Sequence, residues 1–74
     1  MTKNRTEYVI ELRNAQGQPW GPFDEASSLR SARKVARTMA GARFRGGSSR
    51  VVGPTGDILA MFVNSDGNVV EVTP

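Results

Sequence analysis

Leu29-Arg30-Ser31-Ala32-Arg33-Lys34-Val35-Ala36-Arg37-Thr38-Met39-Ala40 is the stretch whose reading decides the fold. Leu29, Ala32, Val35, Ala36, Met39 and Ala40 recur at i, i+3, i+6, i+7, i+10 and i+11, which makes one apolar stripe on a helix. Asp24, Ser27 and Ser28 each suit an N-cap, because a short side-chain oxygen can accept from the unpaired N–H groups of a first turn. Asp24 and Glu25 at the front and Arg37 near the end complement the helix dipole. Gly41 is placed to end the helix as a C′ residue.

On both sides of this helix the periodicity drops to two. Upstream, Thr6 to Arg13 puts Tyr8, Ile10 and Leu12 on one face of a half-buried strand. Asn14-Ala15-Gln16-Gly17 is turn chemistry, with Gly17 free to take positive φ. Residues 18–23 hold Pro19 and Pro22, which rules out a central strand and leaves room for a short edge strand. Trp20 and Phe23 are expected to fold back over the core edge as a lid. Downstream, strands are expected over 48–53, 58–63 and 69–73, separated by turns at 54–57 and 64–68. The expected architecture is α+β, a single helix packed on one face of a small antiparallel or mixed sheet. Its order is β-α-β-β-β, or β-β-α-β-β-β with the extra short strand before the helix.

The strand Ile58-Leu59-Ala60-Met61-Phe62-Val63 is apolar on both faces. One helix covers one face, so Leu59, Met61 and Val63 must meet the Trp20/Phe23 loop, the tails or another molecule. A weak homodimer or a partner through that face is one expectation; cover from within the monomer is the other.

The 74 residues make one domain, read as a flexible polar tail over 1–5 and an α+β domain over 6–74. A chain of this length buries only about 60% of the surface its unfolded form exposes. It has no cysteine to staple the core. No apolar run follows Met1-Thr2-Lys3-Asn4-Arg5 and no stretch reaches membrane-spanning length, so a cytoplasmic setting without membrane contact is the expectation.

Catalytic parts are missing from the sequence. Without histidine or cysteine there is no Ser-His, Cys-His or common zinc constellation. Asp24 and Glu25 are explained by the helix start, Asp57 and Asp66 by turns. Gly41-Ala42-Arg43-Phe44-Arg45-Gly46-Gly47-Ser48 has the glycine spacing of a phosphate-binding P-loop, but Gly47 stands where the lysine must be. That loop also leaves a helix and enters a strand, the reverse of a P-loop. Neither an enzyme nor a cofactor or metal is expected.

Charge is the one strong asymmetry. Between Ala26 and Gly56 the chain carries Arg30, Arg33, Lys34, Arg37, Arg43, Arg45 and Arg50 and no acid. Lys3, Arg5 and Arg13 face all seven acids in the remainder, so the net charge of +3 conceals a divided molecule. Arg30, Arg33, Lys34 and Arg37 fall at i, i+3, i+4 and i+7, a stripe opposite the apolar one, without the interleaved glutamates that would relieve its repulsion. The loop Arg43 to Arg50 adds Phe44 between two arginines, with glycines that let backbone come close, a combination suited to phosphate contact and base stacking. The bland reading is a solvated face whose arginines pair with Glu7, Glu11, Asp57 or Glu71 at the sheet rim, with Phe44 anchoring the helix end.

Two functions follow as expectations. The first is a nucleic-acid (polyanion) binding accessory protein, for DNA or RNA, using Arg30, Arg33, Lys34, Arg37, Arg43, Phe44, Arg45 and Arg50. If the helix enters a major groove, Arg30, Arg33 and Arg37 face base edges. The second is a protein-interaction module, a small inhibitor or adaptor of the phage or plasmid accessory type. It would dock on an acidic partner or through the apolar face around Leu59, Met61 and Val63.

Overall fold

A computed structural model describes residues 7–42 and 46–73. In chain order it holds β1 (Tyr8–Arg13), β2 (Gly21–Ala26), α1 (Leu29–Gly41), β3 (Ser48–Val52), β4 (Ile58–Ser65) and β5 (Asn68–Val72). The strands form one five-stranded sheet in the order β2-β1-β3-β4-β5, every neighbouring pair antiparallel. The fold is α+β, with the short strand before the helix present. The expected tail over residues 1–5 lies outside the described residues.

The helix sits against one sheet face through its smallest side chains. Ala32, Ala36 and Ala40, spaced i, i+4 and i+8, are fully buried, and they meet Ile10, Val51, Ala60 and Phe62. A methyl stripe keeps the helix backbone close to the strands, and two polar groups use that closeness. The Ser49 hydroxyl donates to the Ala36 carbonyl. Asn64 Nδ2 donates to the Ala40 carbonyl at 3.0 Å, satisfying one of the acceptors a helix C-terminus leaves open. Asn64 Oδ1 accepts from Gly67 N at 2.8 Å, so one buried amide ties the helix end to the β4–β5 turn. That turn is a two-residue hairpin with positive φ at Asp66 (57°) and Gly67 (90°), the type I′ geometry that matches strand twist.

Several local expectations are corrected. Ser28 is the N-cap, its hydroxyl accepting from Ser31 N at 3.1 Å; Asp24 and Glu25 lie in β2 and no acid occupies the first helical turn. Arg37 falls short of the last turn, which holds no cation. Gly41 is still helical and Ala42 is the cap. What Gly41 supplies is clearance: a Cβ there would stand 3.3 Å from Val69 Cγ2. Leu29 lies at the helix entrance and is exposed. Phe23 belongs to the edge strand and is 48% exposed, so it is no lid. Asn64 belongs to β4, since both strands run up to the two-residue turn. The central strand is β3, and β4 stands one place from the edge.

Candidate functional site

The cations of the sequence block are distributed by the fold over two layers. Arg30, Arg33, Lys34 and Arg37 lie on α1, whose buried alanines turn the rest of its surface outward. Arg33 and Arg37 lean toward β5. Arg33 makes two parallel bonds to the Glu71 carboxylate, at 2.8 and 2.9 Å, and Arg37 Nη2 stands 3.6 Å from the same carboxylate. Both guanidiniums also lie over the Phe62 ring, 5.7 and 5.0 Å from its centroid. The hydrogen bond from Arg33, aided by the charges of Arg33 and Arg37, holds the Glu71 carboxyl below its ordinary value. The same bond raises Arg33. Glu71 reaches the helix because β5 is the rim of the sheet and Glu71 pairs in register with Phe62, on the helix-facing side.

Arg30 and Lys34 are exposed and have no acidic partner among the described residues. Arg30 to Lys34 to Arg37 therefore forms the outer line of the stripe, with Arg33 set behind it. Thr38, one turn beyond Lys34, donates its hydroxyl to the Lys34 carbonyl at 3.0 Å and adds no charge.

Arg50 does not continue this stripe. It lies in β3, next to Ser49 that faces the helix, and so points to the opposite side of the sheet. There its Nε donates to Glu11 Oε1 at 2.7 Å, and its guanidinium is 4.3 Å from the centroid of Trp20. Arg13 lies 4.4 Å from the same ring. Trp20 is thus the common stacking partner of two arginines, which keeps it on the open face. The Ser48 hydroxyl and Arg13 Nε beside it are buried without a hydrogen-bond partner among the described residues. This cluster was missed as a unit. Alternation alone puts Glu11 and Arg13 opposite Ile10 and Leu12, but nothing local announces that Trp20 and Arg50 join them.

Arg43, Phe44 and Arg45 lie outside the described residues. Leu59, Met61 and Val63 share the open face with Val70 and Val72, which register against Val63 and Met61. Leu59 is 39% and Val70 45% exposed, and the other three are half-buried. A shallow depression bounded by Val9, Pro22, Phe23, Asp24 and Glu25 lies at the β2 edge, away from the helix cations. No group of three metal-ligating side chains occurs among the described residues. Among them, too, no helix is long and apolar enough to cross a membrane.

No protein-family model matches the chain, and neither a curated protein nor a solved structure matches it.

Proposed function

We propose that this chain is a non-enzymatic binding module whose helix layer holds a nucleic-acid backbone. One observation carries the reading: Arg30, Lys34 and Arg37 line the exposed side of a helix that bears no acid, and among the described residues the one carboxylate paired with its cations is Glu71, which takes Arg33 and Arg37. Phosphates spaced along a strand suit such a row, and contacts to them position a protein without reading sequence. Arg33 acts differently from its neighbours, because its fork is already filled by Glu71.

The test is fluorescence anisotropy with a labelled random-sequence duplex and the matching single strand. Three phosphate contacts give a slope of log affinity against log salt of about −2 to −3. Arg30→Glu with Lys34→Glu should abolish binding at low salt while leaving the fold intact, since neither side chain has an acidic partner to lose among the described residues. Absence of binding by the native protein at low salt would overturn the reading.

A second reading, docking of a protein partner on the open sheet face, draws on the exposure of Leu59 and Val70 beside Met61, Val63 and Val72. Met61→Asp discriminates: it abolishes such docking and leaves polyanion binding unchanged.

A further inference from the structure

The two edges of the sheet are finished in opposite ways. On β2, Pro22 removes a backbone donor, the register shifts between Ile10 and Glu11, and Asp24 and Glu25 put exposed carboxylates at consecutive positions of the strand. Proline, irregularity and charge are the ordinary means by which a protein keeps an edge strand from pairing. On β5, Asn68-Val69-Val70-Glu71-Val72, no proline or irregularity appears, and among the described residues no strand pairs with its outer side. Its one charge, Glu71, points to the helix face and is held by Arg33 and Arg37 of its own chain. Among the described residues, β5 itself therefore carries no unpaired charge to guard its outer edge.

The register of β5 is also self-complementary. Ser65 and Asn68 flank the two-residue turn as a hydrogen-bonded pair, so Val70 and Val72 bond to β4, while the backbone groups of Val69 and Glu71 point outward. Two such strands laid antiparallel about a two-fold axis through Val70 set Val69 of each opposite Glu71 of the other. Both pairs are then hydrogen-bonded, for about four backbone bonds in all. Val70, 45% exposed on the open face, meets its own symmetry mate in the closer, non-bonded position. On the other face Glu71 of each copy stands opposite Val69 of the other, so no like charges sit directly opposite across the seam.

We propose that β5 is a self-association edge: two copies of this chain join β5 to β5 in a weak, two-fold symmetric dimer with one continuous ten-stranded sheet. The proposal stands apart from the polyanion reading. In the dimer both helices lie on the same side of the sheet, with Arg33 and Arg37 of each flanking the seam.

The chain lacks cysteine, so a single introduced thiol reports on the geometry without background. Cα atoms about 4.5 Å apart across the axis fall within disulfide range. Val70→Cys should give a covalent dimer under mild oxidation, at a rate at least tenfold above that of Glu25→Cys on the β2 edge. Sedimentation of the native protein between about 10 µM and 1 mM, where a small interface is half-formed, should show a monomer–dimer equilibrium. Val70→Lys should remove that equilibrium with the circular dichroism spectrum unchanged. A native monomer throughout that range overturns the proposal. So does a dimer that Val70→Lys leaves intact, or a Val70→Cys variant that oxidises no faster than Glu25→Cys.

Discussion

On the helix side of the sheet, Ile10, Val51, Ala60 and Phe62 are closed off by three alanines, and the polar groups there, Ser49 and Asn64, are spent on helix carbonyls. On the opposite side Met61, Val63, Val70 and Val72 keep partial contact with solvent, and the polar groups Glu11, Arg13 and Arg50 gather around Trp20. The same strands supply both faces. Alternating side chains thus separate a layer that secures the fold from one whose composition the fold leaves comparatively free.

That contrast can be broken most sharply at adjacent positions of β4. Phe62→Ala empties a fully buried ring site and should lower unfolding free energy by about 3–5 kcal/mol. Met61→Ala, on the half-buried side, should cost only ~1 kcal/mol. Urea denaturation followed by circular dichroism measures both. Equal losses would mean that the open face is as well covered as the other. Next in size is Asn64→Ala, which leaves the Ala40 carbonyl and Gly67 N without their side-chain partner and should cost about 1–3 kcal/mol. Trp20→Ala removes one ring from two guanidiniums, a loss of about 1–2 kcal/mol in the same assay.

The smallest effect belongs to Glu71 and appears in its pH dependence. Because Glu71 is held below its ordinary value when folded, its contribution is present above the unfolded value of about 4.3 and is lost as pH falls through the lower, folded one. Glu71→Gln should flatten the acid side of the stability profile and change little near neutrality. A variant whose acid limb coincides with the native one would place the acid sensitivity elsewhere.

How much of this could be read from the residues varies along the chain. Period-two spacing at Tyr8, Ile10 and Leu12 and the alanine-rich stripe of α1 were legible, because one buried face writes itself into local order. The hairpin at Asp66-Gly67 is legible as a turn, but local composition assigns Asn64 to the loop. An asparagine before a glycine-containing turn looks the same in sequence whether it bonds a helix carbonyl 24 residues away or faces water. Asp24 and Glu25 suited a helix start by composition and were claimed instead by the edge strand, a pairing that only β1 could reveal. In the candidate site, the row of four helix cations was legible from spacing alone. Its partial neutralisation by Glu71 is one of several pairings the sequence allows, since the choice depends on β5 lying at the rim. Arg50 does not extend the row, because it lies in β3 beside the helix-facing Ser49 and each step along a strand reverses the side chain.

Trp20 is the molecule's sole tryptophan, and it rests on the open face between cations rather than in the alanine-lined layer. Its intrinsic fluorescence is therefore a directional optical probe. An anion that settles along α1 should leave the emission almost untouched, whereas anything that lands on the opposite side, or draws Arg13 or Arg50 away from the indole, should shift its intensity and colour. A single unlabelled titration thus reports which side of the sheet a ligand has chosen.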